Sequence, residues 1–330
     1  MSKIINKNKD LMSKYLNITN GERDTKFPIY HKDLWDYYKK QQHAIWTAEE
    51  IDLSKDTFEG IPEKSVYILK NLLAFFGVSD TIVQDNLADE IVSEFSSIEE
   101  IKSNYLYQAY IEDVHSEIYS RLIDQLIKDD KEKFEMFNSI KTNIIVSDKV
   151  KWAKKWLENG SLLQRVVAFS LVEGLAFSST FAFLMFFREK YPQLQGLGQA
   201  NELILVDELM HMNFAIMLYN NYVKEELKLP KEEVREMILD CYETEKLFVK
   251  SIYKDGDVIG LAEDKMIQYI QYMTDNLLYY YGLPLEFNVS QPLQFMSGIS
   301  LVVRQNFFEV KSGEYARVEN VDGEIFSEDF

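Results

Sequence analysis

The sequence predicts an all-α protein, a bundle of long helices that closes around a pair of metal ions. Three observations predict it. The chain of 330 residues holds only six prolines and thirteen glycines, so long stretches run without a breaker. Apolar residues recur at helical spacing through those stretches. Glu-x-x-His occurs twice, as Glu112/His115 and Glu208/His211, and takes two of the four histidines (the others are His31 and His43).

Residues 1–25 read as a polar N-terminal extension, expected to be loosely ordered. A single helical domain follows over 26–308. Its first, short helix is expected over Asp33–Ile45 and a long one over Glu63–Val92. The next runs from Ile98 to Ile127 and ends in the charged run DDKEK. Asp148–Glu158 is another, broken by Asn159-Gly160. An apolar helix spans 161–189 and stops near Pro192. Gln199–Lys224 stops before Pro230, and two more helices cover Lys231–Tyr253 and Glu263–Tyr281. Leu285–Val289 is a weak strand candidate. After Phe308 the chain turns polar and acidic, and every charge after Arg317 is negative. Residues 309–330 are therefore expected to be a disordered tail. Phe326 and Phe330, apolar anchors on an acidic strand, suit docking on a partner.

Composition narrows the function. A formal net charge of −18 repels phosphate backbones and argues against a nucleic-acid partner. Cys241 is the lone cysteine, which excludes an internal disulfide and a cysteine zinc site and fits a reducing compartment. The opening MSKIINKNKDLMSKY has no apolar stretch of the secretory kind. Val166–Phe187 is long enough to cross a bilayer, but it carries Glu173 near its middle. An unpartnered carboxylate is costly in a membrane, so the central helix of a soluble bundle is the expectation.

In a helix, positions i and i+3 share a face, so the Glu and His of each motif can point at one ion. A single such pair is more often a surface pair. Two in one chain with four histidines are hard to obtain by accident. Ferritin-like dimetal bundles complete this arrangement with carboxylates from two further helices. Glu173 is the one charge of the most apolar helix, and a buried carboxylate must be paired, protonated or metal-bound. Asp80, in NLLAFFGVSDTIV, is a second lone acid in an apolar run, ranked above its neighbour Asp85. Carboxylate oxygens and imidazoles suit iron or manganese.

The segments that carry these residues resemble the small, radical-generating subunit of class I ribonucleotide reductase. The resemblance covers about Phe27 to Phe330. KFPIYHKDLWDYYKKQQHAIWTAEEIDLSKD resembles that family's entry segment. AFFGVSDTIV, IEDVHSEIYSRLID, VEGLAFSSTF and NELILVDELMH resemble its four ligand helices, and NFFEVKSGEY its junction to the tail. By position, the resemblance implies one metal held by Asp80, Glu112 and His115 and another by Glu173, Glu208 and His211, with Glu112 and Glu208 bridging or shifting. It makes Tyr119 the radical tyrosine, four residues after His115 and on the same helix face. It makes Phe177, Phe181 and Ile204 the apolar pocket around the radical. It makes Trp46, Asp207 and His115 the start of a relay and Tyr315 the tail tyrosine that hands over to the large subunit. Val206 stands where the family often has arginine, and the stretch between Asp80 and Glu112 is slightly longer than usual.

The implied function is that of the small subunit of ribonucleoside-diphosphate reductase. The cofactor is two iron ions per chain, with manganese or a mixed centre as alternatives. The implied partners are a large subunit, a second copy of the chain, dioxygen and an external reductant, in the cytoplasm. Ribose reduction needs several thiols, and one cysteine with no glycine-rich phosphate loop cannot house the nucleotide site. A different ferritin-like diiron oxidase or oxygenase would use the same ligands with a substrate channel in place of Tyr119. A metal-storage bundle would need none of Trp46, Tyr119 or Tyr315.

Overall fold

The computed structural model describes residues 14–18, 25–86, 91–142, 144–254, 258 and 260–296, with the backbone alone at 78, 80–86, 137–142 and 144–147. Its long helices are α1 (Lys32–His43), α2 (Glu63–Asn86), α3 (Glu99–Leu126), α4 (Asp130–Thr142) and α5 (Ile144–Asn159). They continue as α6 (Leu162–Lys190), α7 (Gln195–Met217), α8 (Lys231–Tyr253) and α9 (Glu263–Tyr280). The starts follow local chemistry. Glu99 and Glu100 open α3, Glu232 and Glu233 open α8, and Glu263 and Asp264 open α9, where the helix dipole favours negative charge. Ser161 and Gln164 form a reciprocal capping box at the start of α6.

Helices α2, α3, α6 and α7 enclose the centre of the bundle. Helix α2 packs along α3, α6 along α7, and α3 against α7, while α8 and α9 close the α6 side and α1 covers α3. The apolar window of α6 is wholly buried, which is the packing of a core helix. Gly174, directly after Glu173, permits the close approach of α6 and α7: a Cβ there would lie 2.3 Å from Met212 Sδ. Around it the helix loosens into a single π turn, Val172–Ala176, in which Phe177 N–H donates to Val172 O at 3.2 Å. Such turns are frequent at functional positions. A second one, Leu218–Tyr222, ends α7.

Several sequence expectations are corrected. Helix α4 occupies the region read as the charged end of α3. Its sequence is mostly polar and Phe134 is 70% exposed, so it shows little apolar stripe, while ion pairs such as Lys131–Glu135 support it. Helix α7 begins four residues before Gln199 because Asp56, from a distant loop, accepts from the N–H groups of Gly196 (2.8 Å) and Leu197 (2.7 Å). Leu285–Val289 is not a strand. Asp275 gathers the N–H groups of Glu286, Phe287 and Asn288 at 2.9, 3.0 and 2.7 Å, so they turn inward to one carboxylate instead of to a ladder. Among the described residues only isolated bridges occur, Leu16 with Val223 and Val258 with Leu261. The first of these also corrects part of the loosely ordered N-terminal reading: Leu16 is buried, and Asn17 N–H donates to Tyr222 O at 2.7 Å.

Candidate metal centre

On α3, Gln108, Glu112, His115 and Tyr119 follow one another at helical spacing, and all four are buried. On α7, Asn201, Ile204, Glu208 and His211 do the same. The two stripes face each other. His115 Nδ1 lies 3.2 Å from Glu112 Oε2 and 3.1 Å from Glu208 Oε1. His211 Nδ1 lies 3.1 Å from Glu112 Oε1 and 3.2 Å from Glu208 Oε2. Each carboxylate thus offers one oxygen to each imidazole, in a crossed, nearly symmetric arrangement. Glu173, from the π turn of α6, joins Glu112, Glu208 and His211 in a group whose ligand atoms lie within 4.8 Å of one another. Gln108 Nε2, 3.4 Å from Glu173 Oε1, orients that carboxylate. Asp80 lies on α2, but its side chain is outside the described residues, as are Tyr315, Phe326 and Phe330 altogether.

Electrostatics set this cluster apart from an ordinary buried network. Burial alone would lower the pKa of His211, yet Glu112 and Glu208 push it up to about 9. His115 is raised well above its usual value against the same burial, by Asp207, Glu112 and Glu208. Burial would raise Glu208, but the two imidazoles hold it below the usual carboxylate range. Glu112 Oε1 and Glu208 Oε1 are nevertheless buried oxygens that receive no well-aligned hydrogen bond. Inward-facing carboxylates with lone pairs to spare, each near two imidazole nitrogens, fit divalent cations better than they fit protons. Cation binding must expel those protons, because imidazolium cannot ligate. Addition of Mn(II) near pH 7.5 to weakly buffered protein is therefore expected to release protons, and affinity to rise with pH up to about 9, where metal-free His211 loses its proton by itself. A pH-stat titration reads both.

Around the centre, Asp207 Oδ2 accepts from Trp46 Nε1 at 2.8 Å and lies 3.1 Å from His115 Nε2. A proton on Nε2 leaves Nδ1 as the nitrogen facing the carboxylates. The Trp46 and His115 rings stack at 5.8 Å with an interplanar angle of 21°. Tyr119 is fully buried and donates to Asn201 Oδ1 at 3.1 Å. Its ring stacks on Phe76 with centroids 5.0 Å apart. Phe177 and Phe181 reach it through Phe76, at 5.4 and 4.6 Å from that ring, and Ile204 is fully buried one turn from Asn201. Val206 packs half-buried against the core.

Phe76, Asn201 and Gln108 were not singled out from the sequence. Each carried a signal: Phe76 stands four residues before Asp80, Gln108 four before Glu112, and Asn201 seven before Glu208, each on the face of its ligand. Phe76→Ala is expected to cost about 3–5 kcal/mol in a urea melt, the range for emptying a phenylalanine site. It also removes the ring stacked on Tyr119 and should shorten the lifetime of any radical formed there.

Comparison with known proteins follows the same lines. The family model described as "Ribonucleotide reductase, small chain" matches residues 23–292. A ribonucleoside-diphosphate reductase small chain of Plasmodium falciparum is 38% identical over 316 residues, covering 95% of this chain and 88% of that one. Subunit M2 of the human enzyme is 39% identical over 303 residues, covering 91% and 76%. Among solved structures, the ribonucleotide reductase Rnr4 homodimer of Saccharomyces cerevisiae aligns with a TM-score of 0.75 at 27% identity, covering 96% of this chain and 98% of that one. A dimanganese(II) NrdF of Streptococcus sanguinis shares the fold at a TM-score of 0.74 and 18% identity, covering 84% and 99%. A chain that matches the family over most of its length, and that brings both Glu-x-x-His pairs together inside its bundle, belongs to the ribonucleotide reductase small-chain family.

Proposed function

We propose that this small subunit of ribonucleoside-diphosphate reductase works through a tyrosyl radical on Tyr119, formed beside two iron ions held by Asp80, Glu112, His115, Glu173, Glu208 and His211. Manganese or a mixed pair would suit the same donors. The carrying observation is the burial of Tyr119 one helical turn beyond His115, under the stacked ring of Phe76. When bound, the reduced metal pair supplies an oxidising equivalent by reaction with dioxygen, after an external reductant has prepared it.

The residues have separable tasks. Glu112 and Glu208 would hold both ions, because each has an oxygen toward each imidazole. Tyr119 would give one electron and its phenolic proton to the dioxygen being reduced toward water. Asn201 fixes the direction of that O–H, and its amide oxygen is too weak a base to keep the proton. Phe76, Phe177, Phe181 and Ile204 exclude water. Asp207 ties Trp46 to His115, so that charge can leave the bundle through Trp46 toward Tyr315 and the large subunit. Phe326 and Phe330 dock the acidic tail on that partner, and the subunit acts as a homodimer in the cytoplasm.

The rival reading, an oxygenase with a substrate channel, meets a size limit. The apolar cavity against Glu173 and Gly174, lined also by Phe181, Leu209 and Met273, holds about 60 Å³. Cavities for drug-sized ligands run from about 300 Å³ upward. This one is well below that size. Trp46→Phe removes the indole N–H that Asp207 accepts while leaving the metal cluster intact. Electron paramagnetic resonance should then show a tyrosyl signal of undiminished intensity, with nucleotide reduction by the assembled subunits at background. Full reduction activity in that variant would remove Trp46 from the relay.

A further inference from the structure

Among the described residues, the bundle buries an ion pair that the proposed chemistry does not use. Lys149 of α5 and Glu245 of α8 meet at 2.8 Å, and both are almost completely buried. The Lys149 ammonium sits 4.2 Å from the ring centre of Phe75 and 3.9 Å from that of Phe248, so two aromatic faces flank it. Stability is a weak reason for the pair, since well-packed apolar residues often replace such pairs without loss. What apolar residues cannot do is accept a hydrogen bond. Glu245 Oε1 accepts the backbone N–H of Ser179 at 3.1 Å and also the Ser179 hydroxyl.

The position of Ser179 gives that bond its meaning. The α-helical ladder of α6 is interrupted over Val172–Ala176 and resumes at Ser178. The return from the wider π spacing to the α-helical one can leave an N–H without a ladder partner, and the Ser179 N–H has its acceptor in Glu245. Glu245 acts as a cap donated by another helix, six residues beyond Glu173 and between Phe177 and Phe181. Lys149 neutralises the carboxylate that does the capping. Phe75, under the ammonium, lies 6.0 Å from Phe177 and 5.6 Å from Phe76 by ring centres, so the same anchor touches the wall of the Tyr119 pocket.

We infer that Lys149 and Glu245 are positioning residues for the metal centre: Glu245 pins the π turn through the Ser179 N–H and thereby fixes Glu173 for the ion it shares with Glu208 and His211. The inference rests on the metal reading given above. Burial pulls the Lys149 ammonium down in pKa while Glu245 opposes it, as expected of a cation kept in the core only by its partner.

Two double variants separate capping from charge. Both Lys149→Met/Glu245→Gln and Lys149→Met/Glu245→Leu remove the buried ions, but only the glutamine keeps an oxygen for the Ser179 N–H. Mn(II) binding to the full chain, followed by the loss of free-Mn(II) resonance signal, is compared with circular dichroism of the same samples. The unmodified chain and the Met/Gln variant are expected to bind two ions. The Met/Leu variant should bind one ion as before and the other about 10- to 100-fold more weakly, the loss usual when a group that orients a ligand is removed. Equal binding by the two double variants would overturn the inference and leave the metal reading standing. No binding by the unmodified chain would overturn both. Should Met/Leu not fold, amide exchange in the unmodified, metal-free chain decides. Protection of residues 172–179 equal to the rest of α6 supports a turn pinned in advance of metal, and fast exchange there contradicts it.

Discussion

Tyr119→Phe is expected to bind two metal ions as the unmodified chain does, to show no tyrosyl resonance after ferrous iron and oxygen, and to have no reductase activity with the large subunit. The substitution removes one oxygen. The ring it leaves can still stack on Phe76, so the stability cost should stay within about 1–3 kcal/mol, the range for leaving one buried acceptor unsatisfied. The Asn201 amide oxygen, which accepts from the phenol, is the group left short of a donor. Loss of metal along with the radical would mean that Tyr119 holds the cluster together and does no redox work. A full radical signal in the variant would put the radical on another of the twenty tyrosines.

Glu208→Ala is expected to have the largest effect on metal. Its two oxygens face both imidazoles, and it sits in the same ligand group as Glu173 and Glu112. Groups that merely orient ligands change affinity by about 10- to 100-fold, so removing a carboxylate that touches both sites should exceed about 100-fold for at least one ion. The variant should remain folded without metal, since it removes a buried charge from a crowd of carboxylates. Both imidazoles should then titrate at lower pH, having lost one of the carboxylates that raise them. Calorimetric titration with Mn(II) measures the affinity, and proton resonances of the two histidines measure the titration.

The metal stripes of α3 and α7 were legible because helical spacing converts sequence into a shared face without any tertiary knowledge. Glu173 was legible from chemistry, as a single charge in a helix otherwise fit for a core. Tyr315, Phe326 and Phe330 of the tail, and the side chain of Asp80, lie outside the described residues. Other features depend on partners far away in sequence. Asp56 reaches across the fold to start α7, and nothing near Gln195 announces it. Asp275 converts an apparent strand into a loop for the same reason. The π turn at Glu173 leaves no mark in composition, and the groups packed beside it, Met212 against Gly174 and Glu245 on the Ser179 N–H, lie far away in sequence. Helix α4 was missed through its weak apolar periodicity, although its charges pair at helical spacing.

Anomalous diffraction from crystals soaked with Mn(II) or ferrous iron tests most directly the claim that the two Glu-x-x-His pairs hold a dimetal centre. Two strong peaks are expected inside the bundle between α3, α6 and α7, one beside His115 and one beside His211, with Glu112 and Glu208 within ligand distance of both. A single peak, or peaks that leave either histidine without a metal neighbour, would contradict the account.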